Sequence, residues 1–218
     1  MKKFLSIILT AVFILSIFSF NSFAAETTKL NKWSEENFDP ENGLSVKVYT
    51  VLQNNSFVVI TQEAHIKDNI MAFTSKINNI DVKFILSSDT LWLYSPTIPF
   101  LHIKSPVEGF DFNELVTPDF SEEIKFLKNY ETDLNSNSYF VEEFLCKNED
   151  NEELVIKFYF IEDELVFIDI PNNIDGYDTV IRMEILSNNV DDKVFEVPFF
   201  SINIYPLIMF FYNVFNII

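Results

Sequence analysis

Glycine, histidine and cysteine are scarce in this sequence, which has three Gly, two His and one Cys among 218 residues. Because the glycines stand alone at 43, 109 and 176, the chain holds neither a G-x-G-x-x-G motif nor a Walker A loop, and phosphate-binding loops of those kinds are excluded. Two His and one Cys cannot supply the four ligands of a common Cys/His zinc site, and one Cys cannot form a disulfide within the chain. We therefore predict no cofactor and no metal.

Positive charge is the next shortage. Lys and Arg number 15 against 33 Asp and Glu, which gives a net charge of −18, and Arg182 is the single arginine. A surface that binds nucleic acid needs a basic footprint, so a nucleic-acid partner is excluded.

Catalytic signatures are also lacking. No G-x-S-x-G motif places a serine on a nucleophile elbow. His102 lies in the apolar run Phe100–Ile103, which favours a hydrogen-bonded structural histidine over a catalytic base, and Cys146 is interpreted as a small buried apolar side chain. Glu142 and Glu143 are neighbours in a strand-like run, so they point to opposite faces and cannot act together on one substrate. These absences favour a protein that is not an enzyme.

Residues 1–24 have the pattern of a secretory signal peptide. Lys2 and Lys3 precede the uncharged, mostly apolar stretch 4–20, and Ser22-Phe23-Ala24 places small residues at the −3 and −1 positions of a cleavage site. The pattern predicts an exported bacterial protein, either secreted or held at the cell surface. The alternative is an uncleaved membrane anchor.

Two short helices are predicted in the remainder. Residues 25–43 are polar, and the i, i+3 spacing of Leu30 and Trp33 predicts a short docking helix there. Thr117-Pro118-Asp119 has the order of an N-cap, a first-turn proline and an early acid, which predicts a second helix over 118–129.

Alternation of apolar and polar residues predicts strands from Leu44 onward, because successive side chains of a strand point to opposite faces. Residues 164–170 are apolar on both faces, which indicates a central strand covered on both sides, and residues 161–164 are short enough to form a hairpin turn. Spacings of 8 to 14 residues between the runs indicate an antiparallel meander. The predicted strands are 45–52, 57–64, 69–77, 82–87, 90–94, 100–103, 152–161, 164–170 and 178–186.

The apolar tail 201–218 allows three interpretations. Residues 197–218 contain no charged side chain, and that length would span a bilayer, whereas three asparagines and Pro206 oppose a membrane helix. The tail is a segment packed on the domain, an anchor through which the protein contacts the membrane, or a stretch that does not belong to the ancestral domain.

The second half of the chain has a characteristic order of strands and turns. It consists of Tyr139–Phe144, the run to Phe160, the turn Glu162-Asp163, the strand Leu165–Ile168, Asp175-Gly176, Ile185-Leu186-Ser187, Val190-Asp191-Asp192 and Phe195–Pro198. This order resembles the closing part of the LolA-like superfamily, exported proteins that include the outer-membrane lipoprotein carrier and Gram-positive members of unassigned role. The resemblance extends over 44–198 and is most specific after Tyr139.

The resemblance implies an α+β fold, in which a curved antiparallel sheet over 44–200 forms an open half-barrel whose concave face is covered by one or two helices. In the lipoprotein carriers the cavity between sheet and helices holds acyl chains, and the helix over 118–129 would be a lid. The chain departs from the carriers at Lys47, since they rely on an arginine of an early strand to tie the lid. Gram-positive bacteria also have no outer membrane to which lipoproteins are delivered. Lipoprotein transfer is therefore disfavoured, and binding of a hydrophobic ligand remains.

Two functions follow from the excess of apolar strand surface. In the first, the protein is an exported binding protein for a hydrophobic small molecule or lipid. Its ligand-binding residues would be Leu154, Ile156, Phe158, Phe160, Ile181, Met183, Ile185 and Trp92. In the second, the interior is solidly packed, and the mixed face with Lys157 and Arg182 meets a cell-envelope protein, so that the chain is a sensor or interaction module.

Overall fold

A computed structural model describes residues 28–37, 39, 41–52, 58–68, 70–77, 80–106, 124–147, 153–174, 177–197 and 201–207. The predicted signal peptide 1–24, the part of the predicted lid helix before residue 124 and residues 208–218 of the tail lie outside the described residues.

The described chain is dominated by one open sheet of twelve strands, in the order β12-β6-β5-β4-β3-β2-β1-β11-β10-β9-β8-β7. Neighbouring strands are antiparallel except β12 and β6, which are parallel. The strands are β1 Leu44–Leu52, β2 Val58–Lys67, β3 Ile70–Ile77, β4 Ile80–Leu86, β5 Thr90–Ser95, β6 Ile98–Pro106, β7 Lys125–Leu134, β8 Asn137–Lys147, β9 Glu153–Ile161, β10 Glu164–Ile174, β11 Tyr177–Ser187 and β12 Ile202–Asn203.

Most of these strands are the ones that alternation predicts, which confirms the meander. Each of the nine predicted runs overlaps a strand, and Glu162 and Asp163 form the predicted turn between β9 and β10. Consecutive strands pair within two meanders, β1 to β6 and β7 to β11. The meanders join where β1 pairs with β11 from Ser45 to Leu52.

The helix predicted over 118–129 is wrong from residue 125 onward, because β7 begins at Lys125. β7 forms a hairpin with β8, and the turn residues Asn135 and Ser136 have φ angles of 51° and 69°. Asparagine tolerates this left-handed conformation, which two-residue hairpin turns require. The ring of Phe126 packs edge-on against that of Phe144 at 5.6 Å between centroids, so pairing with β8 outweighs the local helix signals.

The helix predicted from Leu30 and Trp33 is confirmed as α1, Lys29–Asn37, and both side chains are buried. A 3-10 helix follows β11 at Asp192–Phe195. The expectation of an α+β fold with covering helices is met only loosely. Helices are short and few among the described residues, so this part of the chain is mostly β.

The two faces of the sheet carry different side chains. On the α1 face, Leu30 and Trp33 join a large apolar cluster to which β1 to β5 and β7 to β11 all contribute. The opposite face carries a smaller cluster around Tyr139, Val141, Tyr159 and Phe167. Strand β10 supplies Ile168 to the first cluster and Phe167 to the second, as expected for a strand that is apolar on both sides.

The chain after β11 follows the opposite face across the first meander. Lys67 Nζ lies 2.5 Å from Asp192 Oδ1, Tyr94 donates a hydrogen bond to the Glu196 carbonyl, and the Ser201 hydroxyl lies 2.7 Å from Nδ1 of His102. Residues 202–203 of the apolar tail then form β12 beside β6. These two residues extend the sheet at its edge, where the Ile202 side chain is 66% exposed.

Candidate functional site

Seven of the eight predicted ligand-binding residues lie together on the α1 face. Ile156, Phe158, Phe160, Ile181 and Met183 belong to the large cluster, and their exposed fractions are 3% or less. Leu154 and Ile185 are half-buried and pack against it. Alternation therefore placed these side chains on one face, and the structure shows that most of them are core residues.

Trp92 does not join the other seven. Its strand neighbours Leu91 and Leu93 pack against the α1-face cluster, so the indole lies on the opposite face. There its ring centroid is 5.1 Å from that of His102, and the ammonium of Lys104 lies 4.4 Å from the indole centroid. The predicted structural role of His102 agrees with its burial and its hydrogen bond to Ser201.

A buried carboxylate fixes the N-terminus of α1 on the sheet. Glu142 of β8 is 2% exposed and accepts hydrogen bonds from the backbone N–H groups of Lys29 and Leu30, at 2.8 and 3.0 Å. The first N–H groups of a helix have no partner within the helix, and a negative charge at that end is favourable. Burial raises the pKa of Glu142, although the two N–H donors and Lys29 act in the other direction.

Further contacts hold α1 against the turn between β9 and β10. The ammonium of Lys29 lies 2.9 Å from Asp163 Oδ1 and also donates to the carbonyl of Glu162. The indole N–H of Trp33 donates to Glu164 at 3.4 Å. Together with Glu142, these contacts place α1 over the second meander. The helix therefore covers the sheet unevenly.

The α1 face is more exposed at β4, β5 and β6. Except for Phe84, which is buried, the apolar side chains on this part of the face are half-buried. Most cluster members on β8 and β9 are almost fully buried, although Phe140 and Leu154 are only partly so. The ladder places Leu93 beside Ile103 and Leu86 beside Leu91, so the half-buried side chains are neighbours. We call this surface the apolar platform: Val82, Leu86, Leu91, Leu93, Leu101 and Ile103.

Alternation did not distinguish the platform from the core beneath α1, since both consist of apolar side chains at every second position. In the sequence, Leu91 and Leu93 alternate with Trp92 and Tyr94. What the sequence does not show is which strands α1 covers, because this depends on contacts between residues more than a hundred positions apart.

The opposite face carries a network of charged and aromatic side chains. Arg182 binds Asp169 in a bidentate manner at 2.6 and 2.7 Å, and its guanidinium carbon lies 4.1 Å from the centroid of Phe167. Burial lowers the pKa of Arg182, but Asp169 more than offsets this and the net direction is upward. On the predicted mixed face, Arg182 is therefore already paired with Asp169.

Glu143 is the centre of a second group on the opposite face. It accepts a hydrogen bond from the Tyr130 hydroxyl at 2.8 Å, and the ammonium of Lys157 lies 3.3 Å away. Burial acts to raise the pKa of Glu143, but these partners lower it overall. Burial and Glu143 together raise the pKa of Tyr130 to about 12. Glu142 and Glu143 thus lie on opposite faces, as predicted from their adjacency.

Neither a metal-binding cluster nor a membrane-spanning helix occurs among the described residues. No group of three or more His, Cys, Asp or Glu among them is arranged to hold a metal ion. In the part of the chain that the structure describes, no helix combines the length and the apolar character needed to cross a bilayer. Cys146 is buried, which raises its pKa to about 11 and agrees with its predicted apolar role.

Comparisons with known proteins give matches at the level of structure. No protein-family model and no curated protein matches the chain. An uncharacterized conserved protein from Thermus thermophilus is similar at 6% identity and a TM-score of 0.42, over 78% of this chain and 93% of the other. A LolA superfamily protein from Nitrosomonas europaea is similar at 10% identity and a TM-score of 0.30, over 74% and 93%.

A third solved structure is a putative outer membrane lipoprotein-sorting protein domain from Vibrio parahaemolyticus. It is similar at 10% identity and a TM-score of 0.23, over 74% of this chain and 92% of the other.

Proposed function

We propose that the protein is an exported, non-enzymatic binding protein that holds a hydrophobic ligand, a lipid or acyl chain, on the α1 face of its sheet. The observation that carries the proposal is the apolar platform, a contiguous set of half-buried aliphatic side chains beside a fully packed core. Contiguous apolar surface that is accessible to solvent marks sites at which a partner, a membrane or a ligand binds.

The platform replaces the eight predicted residues as the centre of the proposed site. Phe158 and Met183 are at most 1% exposed, so a ligand could reach them only if the core beneath α1 opened. Leu93 and Ile103 lie on the same face and are accessible without such a change. Phe158, Met183 and the other buried residues then belong to the core against which the platform packs.

Burial of an acyl chain on the platform would supply enough free energy for specific binding. Each methylene removed from water contributes about 0.8 kcal/mol, so ten of them contribute about 8 kcal/mol before the entropic cost of association. That corresponds to a dissociation constant of about 1 μM as an upper guide.

Two measurements test the proposal. The first is mass spectrometry of an organic extract of the purified protein, which should contain lipid in stoichiometric amount. The second is titration with the neutral fluorophore phenylnaphthylamine, which brightens in apolar sites. Leu93→Asp should weaken binding of the fluorophore at least tenfold, because the substitution places a charge in the centre of the platform.

Leu127→Asp is the matched control, since Leu127 is exposed on β7, at the far edge of the sheet. Equal binding by the Leu93 variant and the control would contradict the proposed site. An extract without lipid, absence of fluorophore binding and a co-purifying envelope protein would instead favour the interaction module with a packed interior.

A further inference from the structure

Exposed large apolar side chains are concentrated at one edge of the sheet. Of the eight such side chains among the described residues, four lie on β6, on β12 or just after β12, and three of these four are more exposed than any of the others, at 56% to 66%. We call the four residues the apolar edge: Ile98, Phe100, Ile202 and Leu207. A concentration of this kind marks a surface at which a partner or a membrane binds.

The apolar edge is built from two stretches of sequence without acidic side chains, although the chain carries 33 Asp and Glu. Residues 90–106, which include β5 and β6, contain no acid, and residues 197–218, which include β12, contain no charged side chain. Glu196, which precedes the second stretch, lies beside β5, where its carbonyl accepts a hydrogen bond from Tyr94. Carboxylates are costly in hydrocarbon and beside anionic head groups, so their exclusion from β6 and β12 favours contact with lipid.

Aromatic side chains and a lysine border the apolar edge on the face opposite α1. Phe100 alternates along β6 with His102 and Lys104, so it lies on the face that carries Trp92. Trp92 and Tyr94 of β5 are half-buried, and the ammonium of Lys104 lies 4.4 Å from the indole centroid. Trp and Tyr are enriched where a bilayer meets water, and Lys extends its ammonium from an apolar stem toward the head groups. The arrangement is therefore typical of a membrane interface.

Backbone pairing with a second copy of the chain is disfavoured at this edge. The outermost strand, β12, is only two residues long. The N–H of Lys104 donates to Asn203 Oδ1 at 3.0 Å, and the carbonyl of His102 accepts from the N–H of residue 204 at 2.9 Å. These outward-pointing polar groups of β6 are already paired, and a short outer strand offers little backbone for another strand to join. The surface available for contact consists of side chains.

We propose that the apolar edge binds the surface of a lipid bilayer. Phe100, Ile202 and Leu207 insert between the acyl chains, while the indole of Trp92 lies at the level of the head groups. The contact is peripheral and does not depend on a ligand in the apolar platform, although Leu101 of the platform is the ladder partner of Ile202.

Quenching of tryptophan fluorescence by vesicles of dibrominated phosphatidylcholine tests the proposal on the full chain. This lipid is neutral, so the net charge of −18 does not oppose the contact, and its bromine atoms quench fluorophores that reach the bilayer. Trp33 and Trp92 are the two tryptophans of the chain, and Trp33 is buried in α1 over the second meander. The wild-type protein should therefore be quenched, whereas Trp92→Phe should not.

Phe100→Ser combined with Ile202→Ser should raise the lipid concentration that gives half-maximal quenching at least tenfold. A factor of ten corresponds to about 1.4 kcal/mol, which is less than the burial of two large apolar side chains supplies. The matched control is Leu127→Ser combined with Leu186→Ser, which removes two exposed apolar side chains from β7 and β11. The control should be quenched like the wild-type protein.

Absence of quenching in the wild-type protein, equal quenching of Trp92→Phe, or an equal shift in the two double variants would overturn the proposal. Light scattering could instead show a dimer that the Phe100 and Ile202 substitutions abolish; together with an absence of quenching, this result would overturn the proposal in favour of a second copy. Binding of phenylnaphthylamine is measured without vesicles, so failure of the lipid contact leaves the proposed function standing, and loss of fluorophore binding leaves the lipid contact standing.

Discussion

Replacement of Glu142 by alanine should destabilise the protein more than any other single loss of a carboxylate on the α1 face. The substitution leaves the backbone N–H groups of Lys29 and Leu30 without the acceptor that now lies 2.8 and 3.0 Å away. A buried donor without a partner costs about 1 to 3 kcal/mol, and loss of an anion from a helix N-terminus costs about 0.3 to 1 kcal/mol. We expect the free energy of unfolding to fall by about 3 kcal/mol.

Urea denaturation at neutral pH measures this loss. With an m-value of about 2 kcal/mol/M, the midpoint should fall by about 1.5 M. Fluorescence in a Trp92→Phe background reports on Trp33, which is 3% exposed in α1 and should shift to longer wavelength if α1 loosens. Glu131→Ala, an exposed change on β7, is the control. If the Glu142 and Glu131 variants differ by less than about 0.5 kcal/mol, Glu142 does not hold the helix and our reasoning is refuted.

Three further predictions concern pH, packing and reactivity. The pKa of Glu142 is raised above 4.5, so the contribution of this shift to stability is complete below that pH and is lost as the pH rises. The urea midpoint of the wild-type protein, relative to that of Glu142→Gln, should therefore fall from acidic to neutral pH. Glu143 has a lowered pKa, and the same comparison with Glu143→Gln should run in the opposite direction; parallel slopes would contradict both assignments. Leu30→Ala should cost about 2 to 5 kcal/mol in urea denaturation, against less than about 1 kcal/mol for Leu127→Ala, because Leu30 is fully buried and Leu127 is 40% exposed. Cys146, with a pKa of about 11, should react with a thiol reagent only when the protein is unfolded, and rapid reaction in native buffer would disprove its burial.

Much of the sheet could be predicted from alternation because strands bury one side of a period-two pattern. The runs at 152–161 and 178–186 show this most clearly, since the apolar side chains at every second position, from Leu154 to Phe160 and from Ile181 to Ile185, reach the α1 face. Strand β7 could not be predicted in the same way. In the local sequence, its lysines are typical of the C-terminus of a helix. The strand pattern of Phe126 and Tyr130 becomes evident only in the hairpin with β8.

Alternation predicts that seven of the eight candidate residues share one face, but it does not predict which strands of that face α1 covers. Side chains such as Phe158 and Leu93 are equivalent in a pattern of apolar positions. Their difference in exposure comes from α1, whose position depends on Glu142, a residue 112 positions from Leu30.

The pairing of β1 with β11 has a consequence for how the chain reaches its native state. The first meander is synthesised before its neighbours exist, so the edges of β1 and β6 stay open until β11 and β12 emerge near the end of the sequence. Open edges of long apolar strands attract other chains, and contacts between distant segments form slowly. The sheet is therefore most prone to aggregate in the interval before β11 and β12 have joined it.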